Sequence, residues 1–259
     1  MIDLHCHLLP GIDDGPETLE QALELARIAV ANGITHSVVT PHIHPGRYEN
    51  DAASILANLE SFRGAIEEAG IPLKLGFAGE VRLGAEVLMM VQAGHIPFYG
   101  EYEGKKVFLL ELPHSHVPPG SDKLVKWLLD QDILPMIAHP ERNKDIMRRI
   151  EKIEPFVQMG CLFQVTAGSV AGLFGEQAQG IARQLLEKGC VTILASDAHN
   201  AQHRPPQLDH GRDAAAEIVG VEMAQALVTS RPWEIVRGQF ETEQGQGTRD
   251  KGQGSERQI

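Results

Sequence analysis

Short apolar segments that alternate with helix-like segments are the feature that most restricts the fold of this chain. Seven segments have the composition of β-strands, at 2–6, 34–40, 73–80, 106–112, 134–139, 161–166 and 191–197. Several are continuous apolar runs, such as Val107 to Leu110, which is typical of strands buried on both faces of a parallel sheet. We therefore predict an α/β fold, a seven-stranded β/α barrel that is distorted or incompletely closed.

The segments between these strands have helical periodicity. In the first of them, apolar residues at three- and four-residue steps share one face: Leu19, Ala22, Leu23, Ala26 and Val30. Pro16 suits the first turn of this helix, and Gly33 suits the residue after its end. A second helix is predicted from Asp51 to Ala69, ending at Gly70. Further helices are predicted after Gly120, Asn143, Gly175, Pro205 and Ser230.

Metal-ligating side chains lie at or just past the C-terminal ends of these strands. There are eight of them: His5, His7, His42, Glu80, Glu111, His139, Asp197 and His199. In a β/α barrel all strand C-termini open on one face, and active sites form there. The pattern predicts a multinuclear metal site in a hydrolase.

Two pairs of these residues have the same spacing, with one residue between the two members of each pair. His5 and His7 share one face of their strand while Cys6 points to the other, where packing is its expected role. Asp197 and His199 repeat this geometry in the last strand, which would lie near the first in a nearly closed barrel. For any one of these residues the alternative is an ordinary polar side chain at a strand end.

Other candidates have specific alternatives. Glu80 and Glu111 follow buried strands, where a carboxylate needs a metal ion or an arginine partner such as Arg82. Asp13 is interpreted as a turn residue, whereas Asp14 fits either a helix cap or a metal ligand.

His42 alone would be interpreted as a structural histidine. Arg142 follows His139 closely enough to reach the same rim, where its planar fork suits phosphate oxygens. The alternative for Arg142 is a solvated position in a helical turn. Arg204 lies in the loop after the last strand and could also face a substrate.

Bulk composition restricts the partners and the compartment. The 259 residues carry a formal charge of −12, which argues against nucleic acid or an anionic membrane surface as the main partner. The three cysteines indicate no disulfide framework, and the N-terminus has no signal-peptide pattern. No segment is apolar enough for membrane insertion. We expect a cytoplasmic protein.

Glu241 to Ile259 is rich in glutamine, glycine and charge, and is predicted to be a disordered polar tail after a domain over 1–240. The phosphate-binding glycine loops and the Gly-x-Ser-x-Gly nucleophile elbow are absent from the sequence.

These residues and their neighbours resemble a known family, the PHP (polymerase and histidinol phosphatase) superfamily. The opening HCHLLPGIDDG, from His5 to Gly15, is similar to the bacterial metal-dependent protein-tyrosine phosphatases of capsule and exopolysaccharide loci. The segments TPH (40–42), IAHPERN (137–143), AGS (167–169), AGLFG (171–175) and ASDAHN (195–200) extend the resemblance. Ile43 departs from it, since many relatives have a second histidine there.

The resemblance implies a distorted seven-stranded TIM-like PHP barrel and manganese-preferring hydrolysis of phosphotyrosine. It implies nine metal ligands: His5, His7, Asp14, His42, Glu80, Glu111, His139, Asp197 and His199. Arg142 and Arg204 correspond to phosphate-binding arginines. The ligands suit two or three divalent ions, with Fe or Zn as alternatives to Mn. A metal-activated water is the expected nucleophile. The implied substrate is the tail of a bacterial tyrosine kinase that regulates polysaccharide synthesis.

Two alternatives to a tyrosine phosphatase stay open at this point. One is a small-molecule phosphoesterase of the same superfamily, such as a histidinol-phosphate phosphatase. The other is a non-catalytic metal-binding regulator.

Overall fold

The computed structural model describes residues 1–241 and has an α/β fold built on a parallel sheet. Its strands are β1 (Ile2–Cys6), β2 (His36–Val39), β3 (His42–Ile43), β4 (Lys74–Phe77), β5 (Glu80–Arg82), β6 (Gly100–Tyr102), β7 (Lys105–Glu111), β8 (Ile133–Ala138), β9 (Leu162–Thr166) and β10 (Ile193–Ala195). The predicted tail from Glu241 to Ile259 lies, apart from Glu241, outside the described residues.

Helices connect the strands and cover the sheet. They are α1 (Leu19–Ala31), α2 (Ala52–Glu68), α3 (Glu86–Ala93), α4 (Ser121–Leu129), α5 (Lys144–Arg148), α6 (Glu154–Gln158), α7 (Ala167–Val170), α8 (Glu176–Glu187), α9 (Asp209–Val219), α10 (Val221–Ala226) and α11 (Ser230–Phe240). None of the helices in residues 1–241 is both long and apolar enough to cross a membrane.

The strands pair in an almost continuous parallel order. One sheet has the order β1-β2-β4, and the other has the order β10-β9-β8-β7-β5-β3, with β6 antiparallel to β7. The predicted strand 34–40 contains β2 alone, and β3 is a separate short strand just after it. The predicted strand 73–80 is divided into β4 and β5, so both predicted boundaries are corrected. His36 pairs with Lys74 and His42 with Glu80, so the register is unchanged across the division. Pro41 has no N–H to donate to the ladder at this point.

The two ends of this strand order also meet. The Asp197 amide donates to the His5 carbonyl at 2.7 Å, and the His7 amide donates to the Ala198 carbonyl at 2.8 Å. The segment after β10 is therefore hydrogen-bonded to the end of β1. These bonds bring the two predicted ligand pairs together.

Helix α1 begins later than the sequence indicated. Thr18 is its N-cap, because the Thr18 side chain accepts from the Gln21 amide and the Gln21 side chain accepts from the Thr18 amide. Pro16 is therefore outside the helix, not in its first turn. Leu19, predicted on the buried face, is 41% exposed, while Leu25 is buried against the core. Gly33 follows the end of the helix with φ +85°, as predicted.

Candidate metal centre

All nine predicted ligands lie together in the structure. They form four overlapping groups, and the candidate ligand atoms of each group lie within 4.8 Å of one another. The groups are His7, Asp14, His42 and His199; His5, His7 and Glu80; His5, His139 and Asp197; and His42, Glu80 and Glu111. We call these nine residues the ligand cluster.

The first strand contributes two fully buried imidazoles to the cluster. His5 and His7 point the same way, and their Nε2 atoms are 3.4 Å apart. Cys6 points to the opposite side, where its thiol donates to the Val38 carbonyl at 3.6 Å. The alternation predicted for this strand is therefore present, and Cys6 packs in the core.

Asp13 and Gln164 support these two histidines, a role that the sequence did not indicate. The Nδ1 atom of His7 lies 2.7 Å from Asp13 Oδ2, and that of His5 lies 2.9 Å from Gln164 Oε1. An acceptor at Nδ1 fixes the tautomer in which Nε2 is free to bind a metal. Asp13 Oδ1 also accepts from the Gly15 amide at 2.9 Å, so Asp13 is a turn residue as predicted. Its contact with His7 is a second role.

Glu80 is at the centre of the cluster and is 1% exposed. Its Oε2 lies 2.9 Å from His42 Nδ1, 3.4 Å from His5 Nε2 and 3.5 Å from His7 Nε2. Its Oε1 lies 2.7 Å from His139 Nε2. Burial favours the neutral carboxyl, but His5 and His42 outweigh it and hold the pKa of Glu80 well below its usual range.

Glu111 has the arginine partner that the sequence allowed. Arg82 Nη1 lies 2.7 Å from Glu111 Oε1, yet Glu111 also belongs to a ligand group with His42 and Glu80. Burial raises the pKa of Glu111, and the neighbouring Glu80 raises it further. The arginine therefore neutralises only part of the negative charge on this side of the cluster.

Asp14 forms the solvent side of the cluster. Its side chain is 42% exposed, and Oδ1 lies 3.2 Å from His42 Nε2 and 3.4 Å from His199 Nε2. Helix α1 is capped by Thr18, so the capping alternative for Asp14 does not apply. This leaves the Asp14 carboxylate free to serve as a ligand.

Asp197 joins the cluster to both predicted arginines. Arg142 Nη2 and Arg204 Nη2 donate to Asp197 Oδ2, the latter at 2.5 Å. The Nε atoms of both arginines are buried and have no acceptor. Asp197 and His139 have φ values of +52° and +29°, a region that is costly for residues other than glycine. Such strain at two candidate ligands is typical of a functional site.

The electrostatics of the cluster fit divalent cations. Burial alone would lower the pKa of His7, but Asp13 raises it well above its usual value. Burial opposes protonation of His42 as well, but Glu80 and Asp14 raise its pKa to about 10. His139 differs, since burial lowers its pKa to about 4. The negative potential that retains these protons also attracts cations, and mixed imidazole and carboxylate donors suit Mn²⁺, Fe²⁺ or Zn²⁺.

Comparison with known proteins agrees with this geometry. A family profile described as "Capsular polysaccharide synthesis, CpsB/CapC" matches residues 1–237. The chain belongs to the CpsB/CapC family. The match includes all nine residues of the ligand cluster and both arginines.

Individual relatives support the assignment to the CpsB/CapC family. The chain is 34% identical over 204 residues to the tyrosine-protein phosphatase YwqE of Bacillus subtilis, covering 79% of each protein. It is 30% identical over 205 residues to the putative tyrosine-protein phosphatase CapC of Staphylococcus aureus, again covering 79% of each.

A solved structure from work on YwqE of B. subtilis and CpsB of Streptococcus pneumoniae, described as metal-dependent tyrosine phosphatases, superposes with a TM-score of 0.84. Its sequence identity is 31%, and the alignment covers 92% of this chain and 95% of that one.

Proposed function

We propose that this protein is a metal-dependent protein-tyrosine phosphatase. The observation that carries the proposal is the meeting of Arg142 and Arg204 at Asp197, on the edge of a buried cluster of metal-ligating side chains. Both guanidinium groups have a buried Nε donor without an acceptor. A phosphoryl group placed there would supply oxygen acceptors to both arginines.

The nine residues of the ligand cluster would hold two or three divalent ions, which we propose to be manganese, with iron or zinc as alternatives. The four carboxylates of the cluster contribute a charge of −4. Two divalent ions would bring the sum to 0, and three would bring it to +2, which favours a phosphate dianion. When bound, the ions supply Lewis-acid stabilisation of phosphoryl charge and acidify a water molecule that can attack phosphorus.

The side chains have separate tasks in this mechanism. Arg142 and Arg204 bind and orient the phosphoryl oxygens and stabilise their charge as it redistributes. Asp13 and Gln164 orient His7 and His5 through Nδ1. The leaving phenol has a pKa of about 10, so catalysis requires less help from a general acid than it would for an alkyl ester.

We propose that no covalent phosphoenzyme forms. Burial raises the pKa of the Cys6 thiol well above its usual range and that of Cys161 to about 12. Burial also raises the pKa of Cys190. A thiolate nucleophile of the kind used by cysteine-dependent phosphatases is therefore disfavoured at all three cysteines.

We further propose that residues 1–240 form one PHP-type domain, a distorted seven-stranded β/α barrel. Two observations support a barrel. The register of β2 with β4 continues into β3 with β5, and the segment after β10 is hydrogen-bonded to the end of β1. The residues of the ligand cluster would then lie at one mouth of the barrel.

We propose that the substrate is a phosphotyrosine protein, the tail of a bacterial tyrosine kinase that regulates capsular or exopolysaccharide synthesis in the cytoplasm. The description of the CpsB/CapC family supports the link to polysaccharide. The names of the relatives support phosphotyrosine as the reacting group. The Asp14 side chain is 42% exposed, which supports the approach of a protein segment from this side of the cluster.

Parallel turnover assays test the proposed function. The Mn²⁺-loaded protein should hydrolyse a phosphotyrosine peptide much faster than histidinol phosphate, and phosphate release should require the metal. His5→Ala and Asp197→Ala should abolish turnover, since each residue belongs to the ligand cluster. Preference for histidinol phosphate would instead indicate a small-molecule phosphoesterase. Full activity of either alanine variant would contradict the proposed site.

A further inference from the structure

Phe174 lies against Arg142, one of the two arginines of the proposed phosphate site. The Cζ atom of Arg142 is 5.0 Å from the centroid of the Phe174 ring, within the range of a cation–π contact. The same guanidinium donates through Nη2 to Asp197. Two contacts therefore hold Arg142, one with a carboxylate and one with an aromatic ring.

The two contacts respond differently to metal binding. Asp197 is a proposed metal ligand, so its oxygens would be shared between the ions and the arginine. The contact between Arg142 and the Phe174 ring involves no residue of the ligand cluster, so metal binding would not compete for it. An arginine side chain has high rotamer entropy, which must be lost when the side chain binds a phosphoryl group. A ring that already restricts the guanidinium reduces that loss.

We propose that Phe174 is a positioning residue that holds Arg142 ready for the phosphoryl group and thereby sets the affinity of the site for phosphate. This inference rests on the proposed phosphatase function, because Arg142 is assigned as a phosphate-binding residue there. Phe174 acts through Arg142 and has no part in the ligand cluster.

Gly168 makes room for the ring. A Cβ atom at this position would lie 2.9 Å from Phe174 Cε2 and 3.4 Å from Phe174 Cδ2, which is too close for the ring to stay in place. The Leu173 amide donates to the Gly168 carbonyl at 2.8 Å, which fixes the turn that carries the ring. Gly168 has no positive φ, so an alanine there would cause no backbone strain, and the contact with the ring is the closest that its Cβ would make.

Binding of inorganic phosphate to the Mn²⁺-loaded, full-length protein measures the effect directly by isothermal titration calorimetry. Phe174→Leu keeps an apolar side chain but removes the π face, and should weaken phosphate binding by about 3- to 10-fold. Phe174→Tyr keeps the face and should bind phosphate as the wild type does. Leu173→Ala is the control, since the neighbouring Leu173 side chain is 69% exposed.

Gly168→Ala tests the same contact from the other side. It should displace the ring and weaken phosphate binding, but should add little in the Phe174→Leu background. Gly180→Ala is the matched control, because a Cβ at this position of α8 would meet no atom within 4 Å. For both test variants, kcat/KM on a phosphotyrosine peptide should fall with phosphate affinity while the Mn content per chain is unchanged.

Several results would overturn the inference. One is wild-type phosphate affinity in Phe174→Leu; another is an equal loss in Phe174→Tyr. A fall in melting temperature without a change in phosphate affinity would assign Phe174 a structural role only. If the wild type hydrolyses no phosphotyrosine peptide, the proposed function fails, but the effect of Phe174 on phosphate binding is still measured.

Discussion

Replacing Asp13 with asparagine should weaken divalent-ion binding while leaving the protein folded. The Asp13 side chain is 1% exposed, and Oδ2 lies 2.7 Å from His7 Nδ1 and 3.0 Å from the His42 amide. Its Oδ1 accepts from the Gly15 amide at 2.9 Å. His7 Nδ1 and the amides of His42 and Gly15 can all donate a hydrogen bond, so each needs a carboxylate oxygen of Asp13 as its acceptor.

Asparagine has nearly the same shape but only one oxygen. In one orientation its NH₂ group faces the amide of Gly15. In the other it faces His7 and His42, and drives His7 to the tautomer whose proton is on Nε2. A buried donor without an acceptor costs about 1–3 kcal/mol. Loss of a carboxylate that supports a ligating histidine typically reduces metal affinity by about 10- to 100-fold, equivalent to about 1.4–2.8 kcal/mol.

The assay is titration of the metal-free protein with Mn²⁺, followed by calorimetry and by phosphotyrosine turnover at each Mn²⁺ concentration. The Mn²⁺ concentration that gives half-saturation should rise by about 10- to 100-fold in Asp13→Asn. Asp122→Asn, at an exposed position in the first turn of α4, is the matched control. Wild-type affinity for Mn²⁺ in Asp13→Asn would refute the role assigned to Asp13.

Three other outcomes are expected. Arg204→Lys keeps the charge but loses the planar fork, so KM for a phosphotyrosine peptide should rise about tenfold in steady-state kinetics; an unchanged KM would remove Arg204 from the phosphate site. Mn²⁺ at 100 times its Kd should stabilise the fold by about 2.7 kcal/mol for each ion bound and raise Tm by about 5–10 °C for each, measured by calorimetry and reversed by a chelator. Thr18→Ala removes the side-chain cap of α1 and should lower the free energy of unfolding, measured by urea denaturation, by about 1 kcal/mol. The kcat for a phosphotyrosine peptide should not change, and a fall in kcat would contradict the separation of this cap from the site.

The sequence predicted which candidate ligands come together better than it predicted the strand boundaries. Apolar runs that end in histidine or carboxylate were sufficient to indicate this set of residues, because buried strands and their polar ends both have a local signature. The short strand β3 was not predicted, because its two residues lie beyond Pro41, which has no N–H for the ladder. β6 was missed because Gly100–Tyr102 is short and has no apolar run.

The supporting residues were not predictable in the same way. Gln164 is separated from His5 by 159 positions, and only the folded sheet brings the two side chains within 2.9 Å. The residues around Asp13 indicate a turn, but they do not indicate the contact of Asp13 with His7. The sequence does not distinguish Phe174 from other apolar residues, because its role depends on its distance from Arg142. Such roles depend on tertiary contacts that have no periodic signature.

Anomalous scattering from crystals of the Mn²⁺-loaded protein tests the central claim most directly. Two or three anomalous peaks are expected inside the ligand cluster, each bounded by the side chains of one or more of its four groups. At least one peak should lie close to Asp197, which accepts from Arg142 and Arg204. The absence of peaks there, or peaks only at other acidic surfaces, would contradict a metal centre built from these nine residues.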